Sequence, residues 1–147
     1  MSDPLYKKAL LRLAADAAGA GRLLEPHGTG VAHNPACGDK VTVDIAIEDG
    51  RIVGIAIDAK ACVLTQASAS ILGGDATGLA RDEIAALRDA VRMMLAGNSE
   101  PPPAPFNVYR HFDGVADHKS RHRCVLLPLE AVLAAFDALP DAETEGG

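Results

Sequence analysis

The chain has 147 residues, of which 48% are hydrophobic, and it carries a formal net charge of −6 at pH 7. This length and apolar content fit one compact domain with a sizeable core, and they exclude collagen, a multidomain enzyme and a long disordered tail. The acidic balance argues against nucleic acid as a partner, because binding to phosphates needs clustered Lys and Arg. We expect a cytoplasmic protein without membrane contact, since no stretch reaches the ~18 consecutive apolar residues of a membrane span and the charged N-terminal region lacks the core of a secretion signal.

The first third of the chain predicts a helix followed by a short strand. Apolar residues recur at helical spacing over 4–24, which indicates an amphipathic helix that frays over 18–21. A short apolar segment, Gly30–His33, is predicted to be an edge strand. Asn34-Pro35 should end it, because the Asn-Pro dipeptide favours a turn.

Two alternating segments, 41–48 and 53–57, predict a β-hairpin that returns at Asp49-Gly50. A two-residue turn would mix the buried and exposed faces of the two strands. A three-residue loop with Gly50 in the left-handed conformation keeps the faces together. We therefore prefer the register that pairs Val41 with Ile57, Val43 with Ile55 and Ile45 with Val53.

The second half of the chain is predicted to be helical, which makes the fold class α+β, a small antiparallel sheet packed with helices. Residues 1–140 are predicted to form one domain, followed by a disordered acidic tail over 141–147. Pro128 is tolerable in the last helix only if it lies in the first turn. The remaining expected segments are a helix over 63–72 that ends at Gly73-Gly74, a helix marked by Ile84 to Leu95 that ends at Gly97, an extended loop over 98–105, and a last helix over 126–136.

The three cysteines of the chain are candidate metal ligands. Cys37 precedes the first strand of the hairpin and Cys62 follows the second, so the return of the chain brings both thiols to the same end of the sheet. Asp39 can reach the same point. Cys62 and Cys124 each precede a predicted helix, where the helix dipole lowers the pKa of a thiol. Three thiolates and one carboxylate suit tetrahedral zinc, and the same sulfurs can hold an iron–sulfur cluster.

The alternative is that the cysteines are packing residues. A free cysteine often behaves as a small buried hydrophobe, and none of the three belongs to a Cys-x-x-Cys pair. An odd number of cysteines without a secretion signal disfavours a disulfide framework. His122 is a weaker candidate ligand beside Cys124, because histidines in charged stretches are commonly solvated.

The cysteine-containing segments resemble the N-terminal domain of the IscU/SufU/NifU family of iron–sulfur cluster assembly proteins. The resemblance runs from Leu5 to the last helix. It implies a metal site built from Cys37, Asp39, Cys62 and Cys124. The segments that carry it are Asn34-Pro35-Ala36-Cys37-Gly38-Asp39, Cys62 followed by Ala67-Ser68-Ala69-Ser70, and Arg121-x-x-Cys124-x-Leu126-Leu127-Pro128.

Within that family the chain is most similar to the SufU type. Arg123 stands where IscU-type proteins carry a histidine, their Leu-Pro-Pro-Val-Lys motif is missing, and Arg121 stands where the SufU type places an arginine. The resemblance implies a zinc-dependent, sulfurtransferase-like acceptor of persulfide sulfur from a cysteine desulfurase of the SufS type. Cys37 is the expected acceptor, and the sulfur passes to downstream cluster assembly or acceptor proteins.

Two other roles stay open at this point. The first is a non-catalytic scaffold that binds iron or a transient [2Fe–2S] cluster, in which Cys124 is the expected sulfur acceptor. The second is a purely structural metal, whose removal would unfold the chain.

Overall fold

The computed structural model describes residues 8–35, 38–97 and 100–139, and it confirms the α+β fold. Cys37 and the tail over 141–147 lie outside these residues, and the domain boundary at residue 140 stays a prediction. The elements in chain order are α1 (Lys8–Asp16), β1 (Gly28–Asn34), β2 (Asp39–Glu48), β3 (Arg51–Lys60), α2 (Val63–Asp75), α3 (Arg81–Leu95), a 3-10 helix (Phe106–Val115) and α4 (Lys119–Asp137).

The three strands form an antiparallel sheet in the order β1-β2-β3, so β1 is an edge strand as predicted. The inward side chains of β2, namely Val41, Val43 and Ile45, are fully buried. Helix α4 packs closely on β1. The approach is so close that a Cβ at Gly28 or Gly30 would overlap the α4 backbone. The core therefore lies between one face of the sheet and the helices.

The preferred register of the hairpin is wrong. Asp49 and Gly50 have φ angles of 55° and 75°, so both adopt the left-handed conformation of a two-residue turn. A shift in register between Ala46 and Ile47 then brings the buried faces back together, which removes the objection to the shorter turn. The observed pairs are Val41 with Ala59, Val43 with Ile57, Ile45 with Ile55 and, at the far end, Lys40 with Lys60.

Helix α1 ends at Asp16, shortly before the fraying that is predicted over 18–21. The next residue, Ala17, has a φ of 46°, which a helix cannot continue through. The chain then turns so that Ala20 pairs with Ile57 of β3. This turn places the segment after α1 against the outer edge of the sheet.

Helix α2 does not end at Gly73-Gly74 but runs through both glycines to Asp75. A Cβ at Gly73 would overlap the carbonyl group of Ala18. The glycine is therefore required for close packing of α2 on the segment after α1, and it does not terminate the helix.

Helix α4 begins at Lys119, well before the predicted start at Leu126, and Pro128 lies inside it. The prediction that Pro128 occupies the first turn is therefore wrong. Cys124 lies within the helix and not ahead of it, so its thiol is not at the helix N-terminus. Because proline has no N–H group, Pro128 cannot donate a hydrogen bond to the carbonyl oxygen of Cys124.

The sequence predicts α3 and its end near Gly97, but it does not predict the 3-10 helix. Tyr109 and Phe112 of the 3-10 helix are fully buried, and their ring centroids lie 5.5 Å apart. The part of the predicted loop that is described, residues 100–105, is free of regular structure. Among the described residues, no helix combines the length and hydropathy that crossing a lipid bilayer requires.

Candidate metal centre

Asp39 opens β2 on the inward face of the sheet, and its side chain ties the strand to the start of α2. The residue is buried at 5% exposure. One carboxylate oxygen, Oδ1, accepts a hydrogen bond from the backbone N–H of Cys62 at 3.2 Å, and Oδ2 accepts one from the Thr65 hydroxyl at 2.9 Å. A carboxylate oxygen has two lone pairs, so accepting one hydrogen bond does not by itself prevent it from binding a cation.

Cys62 is the N-cap residue of α2, in agreement with the prediction that it lies at a helix N-terminus. Its side chain is half-buried, and its Sγ lies 3.5 Å from the Thr65 hydroxyl oxygen. A hydrogen bond from the Cys124 thiol is the largest of the effects that lower the pKa of Cys62 from 9.0 to about 6, against burial and the charge of Asp39. The thiolate of Cys62 therefore predominates at neutral pH.

Cys124 is fully buried on α4. Its Sγ lies 3.8 Å from Nδ2 of Asn34, which donates a hydrogen bond to the sulfur. Asn34 is the last residue of β1 and pairs with Asp39 across the sheet. The sulfur of α4 is thereby placed against the ends of both strands.

One ligand atom each from Asp39, Cys62 and Cys124 lies within 4.8 Å of the other two. Tetrahedral zinc with Zn–S bonds of about 2.3 Å holds its ligand atoms about 3.8 Å apart. Small side-chain rotations therefore suffice for the three atoms to reach one ion. Two sulfurs and a carboxylate oxygen are the donor set that zinc or iron takes in proteins.

The fourth predicted ligand, Cys37, falls outside the described residues together with Ala36, whereas Pro35 and Gly38 on either side are described. The backbone N–H of Gly38 donates a hydrogen bond to the carbonyl oxygen of Asn34 at 2.8 Å, and Gly38 has a φ of 75°. In sequence, Cys37 stands directly before Gly38 and two residues before Asp39. The structure brings together three of the four predicted ligand residues.

Among the residues that the structure describes, this cluster contains no histidine. The Nε2 atom of His122 lies 3.1 Å from the carbonyl oxygens of Val115 and Ala116, so this nitrogen is used in a backbone contact. His33 is exposed on β1, where it pairs with Lys40 on the outer side of the sheet.

Sequence reasoning missed a buried hydrogen-bond network that lies next to Cys124. The Ser68 hydroxyl of α2 donates to the carbonyl oxygen of Val125 at 2.7 Å and lies 2.9 Å from the Tyr109 hydroxyl. Burial raises the pKa of Tyr109, so its phenol stays protonated. The signal in the sequence was weak, because serine in an apolar helix is common. The network links α2, α4 and the 3-10 helix behind the metal ligands.

These observations define the class of protein: a small α+β domain with a candidate metal centre of thiolates and a carboxylate at one end of its sheet. The family described as NifU-like N terminal domain matches residues 5–122 of the sequence. The chain belongs to this family, which confirms the predicted resemblance.

Named relatives agree with this assignment. The chain is 26% identical over 111 residues to the iron–sulfur cluster assembly scaffold protein IscU of Streptococcus pyogenes serotype M1, covering 76% of this chain and 70% of the relative. It is 27% identical over 132 residues to the protein of the same name from Thermotoga maritima, covering 90% and 92% of the two chains.

Solved structures are similar over nearly the whole fold. The N-terminal part of a nitrogen-fixing NifU-like protein from Brucella abortus superposes with a TM-score of 0.87 at 35% identity, covering 93% of this chain and 95% of that one. A candidate cluster assembly scaffold of the SUF system from Fervidobacterium islandicum has a TM-score of 0.80 at 21% identity, with 89% and 96% of the chains covered. The second likeness shows the fold alone.

Proposed function

We propose that the protein works in iron–sulfur cluster assembly, as the names of its IscU relatives say of those proteins. The observation that carries the proposal is the convergence of Asp39, Cys62 and Cys124, whose ligand atoms lie within 4.8 Å of one another. These residues come from separate elements of the fold, and two of them are buried. A bound cation would add to the two hydrogen bonds that already offset the cost of burying the Asp39 carboxylate.

Within that role we infer a zinc site formed by Cys37, Asp39, Cys62 and Cys124. Zinc, when bound, keeps thiolates deprotonated and ready to react. The low pKa of Cys62 and the fixed carboxylate of Asp39 already favour a divalent cation in the metal-free chain. Sulfur ligands alone do not decide the metal, since iron accepts the same donors.

The proposed reaction is acceptance of persulfide sulfur from a cysteine desulfurase of the SufS type. The Cys37 thiolate attacks the outer sulfur of the persulfide on the partner's cysteine. A new S–S bond forms on Cys37 as the old one breaks, and the partner's cysteine leaves as a thiolate. The step needs no oxidant, because the outer sulfur keeps its oxidation state. The sulfur then passes to downstream cluster assembly or acceptor proteins.

A scaffold role is the second candidate, and the names of the IscU relatives favour it. In that role the same cysteines hold iron or a transient [2Fe–2S] cluster, which is cargo that leaves for an apoprotein. The chain is then a binding protein without a covalent step of its own.

Alanine release separates the two roles. We expect the zinc-loaded chain to accelerate alanine production by a SufS-type desulfurase supplied with cysteine, and Cys37→Ala to abolish the acceleration. Glu48→Ala is the matched control, because Glu48 is exposed at the opposite end of β2. Mass spectrometry should find one added sulfur atom on Cys37.

The contrary outcomes are equally specific. No acceleration, together with a visible-absorbing cluster after reconstitution with iron and sulfide, favours the scaffold. Unfolding on chelation, without any effect particular to the desulfurase, indicates a structural metal. Elemental analysis of the freshly purified chain identifies the metal.

A further inference from the structure

Asn34 lies beside Cys124 and is not itself a predicted ligand. It is 1% exposed, and its Nδ2 atom lies 3.8 Å from Sγ of Cys124. Its position is fixed from two sides, since it pairs with Asp39 across the sheet and its carbonyl oxygen accepts a hydrogen bond from Gly38. The backbone that carries the Asn34 amide is therefore fixed beside the candidate metal centre.

The amide of Asn34 can act on the sulfur in only one way. An amide nitrogen donates hydrogen bonds and does not accept them, so the sulfur of Cys124 is the acceptor. Such a bond strengthens when the sulfur becomes a thiolate. It also draws electron density from the sulfur, which makes that thiolate a weaker nucleophile.

Cys124 and Cys62 differ in their access to an incoming reagent. Cys124 is fully buried, whereas Cys62 is half-buried at the start of α2. In the metal-free chain the Cys124 thiol donates a hydrogen bond to Cys62. A metal would replace the protons of both thiols, but the hydrogen-bond donor on Asn34 would remain.

We propose that the Asn34 amide makes Cys124 the anchoring ligand, the thiolate that stays on the metal and is spared by incoming sulfur, so that transfer is directed to the other cysteines. The inference rests on the proposed metal-binding and sulfur-accepting function, and it assigns Asn34 as a positioning residue for that function. It also argues against Cys124 as the acceptor.

The test compares the wild-type chain with Asn34→Leu, which keeps the bulk of the side chain and removes the donor. Ser70→Ala is the matched control, because Ser70 is buried on α2 but bonds to the backbone of Ala18 and not to the cluster. Each full-length chain is loaded with zinc for limited alkylation by iodoacetamide and with Co(II) for spectroscopy.

We expect the alkylation rate of Cys124 in the zinc-loaded Asn34→Leu chain to rise about tenfold relative to that of Cys62, in line with the effects of residues that orient metal ligands. The sulfur-to-cobalt charge-transfer band should move to longer wavelength, because the loss of the hydrogen bond raises the energy of the sulfur lone pairs. Circular dichroism and thermal unfolding establish that the variant is folded. Ser70→Ala should leave both readouts unchanged.

Unchanged alkylation and an unchanged charge-transfer band in a folded Asn34→Leu chain would overturn the inference. That result is distinct from failure of the proposed function, in which the wild-type chain does not accelerate the desulfurase. A wild-type chain that takes up neither zinc nor Co(II) would overturn both.

Discussion

Removal of the Asp39 carboxylate tests how the metal centre is held together before any metal binds. In the metal-free chain, Asp39→Ala deletes the acceptor of two hydrogen bonds, from the Cys62 N–H at 3.2 Å and from the buried Thr65 hydroxyl at 2.9 Å. Hydrogen bonds to a charged group contribute about 1.5 to 3 kcal/mol each, which sums to about 3 to 6 kcal/mol. Part of this is offset, because the Asp39 charge repels the Cys62 thiolate. We expect a loss of about 3 kcal/mol in the free energy of unfolding.

Urea denaturation at pH 7 in the presence of a chelator measures this loss. Asp75→Ala is the control, since Asp75 is exposed at the end of α2, and it should change the free energy of unfolding by less than about 0.5 kcal/mol. The same variant carries a second prediction. Because the Asp39 charge raises the pKa of Cys62, Asp39→Ala should lower that pKa below its present value of about 6.

The ultraviolet absorbance of the thiolate follows the pKa of Cys62. A loss of stability below about 1 kcal/mol would mean that the two donors find water or other partners, which contradicts the anchoring role of Asp39. A rise in the pKa of Cys62 would show that Asp39 does not act on the thiolate through its charge.

Other substitutions probe packing and pH dependence. Gly73→Ala should lower the free energy of unfolding, measured by thermal unfolding, by about 2 kcal/mol or more, because the new Cβ would overlap a backbone carbonyl. Gly74→Ala is the control, because a Cβ there makes only an ordinary contact. Equal effects of the two substitutions would refute this reasoning. Asp44→Ala should lower the free energy of unfolding, measured by urea denaturation, by about 2 kcal/mol. The Arg22 guanidinium lowers the pKa of Asp44, so the contribution of the Asp44 carboxylate to stability is present above about pH 4 and is lost on further acidification. A cost that does not change with pH would contradict this reasoning. The pKa of Cys62 falls from 9.0 to about 6 on folding, so the metal-free chain should lose stability as the pH falls from 9 to 6, and Cys62→Ser should abolish that slope.

The sequence was most informative where local chemistry and hydrophobic alternation agree. The strands, the edge position of β1 and the place of Cys62 at the start of α2 follow from alternation and from the turn at Asp49-Gly50. The register does not, because a two-residue turn and a bulge between Ala46 and Ile47 together give the same facing of buried residues as a longer loop. Alternation alone cannot separate these two solutions.

The start of α4 could not be predicted because residues 119–123 are polar and show no apolar period. Their helical state depends on the apolar residues that follow, which anchor the helix in the core. Pro128 was misleading for a related reason. Tertiary packing tolerates a proline inside α4 that an isolated helix would exclude. The structure therefore places Cys124 near Asp39 and Cys62, as expected, but within α4 and not ahead of it.

Asn34 and Ser68 show a further limit of sequence reasoning. Asn before Pro indicates a turn, and nothing in that pattern reports that the amide is buried against a sulfur. Ser68 has the small size expected at a helix contact, but its hydrogen bonds depend on the 3-10 helix, whose pattern was not recognised. Residues that act through tertiary contacts carry no local signature.

The direction of the buried hydrogen bonds indicates how the helices next to Cys62 and Cys124 are held together. The Ser68 hydroxyl has one hydrogen, and a carbonyl oxygen can only accept, so this hydrogen goes to Val125 at 2.7 Å. The contact of 2.9 Å with Tyr109 must then be donated by the phenol, whose raised pKa keeps its proton in place. Ser68 lies in the second turn of α2, the helix that Cys62 caps, and Val125 directly follows Cys124 on α4. The bond from Ser68 to Val125 thus joins α2 to α4, and the bond from Tyr109 joins the 3-10 helix to α2. Buried groups outside the candidate ligand set therefore hold together the helix that Cys62 caps and the helix that carries Cys124.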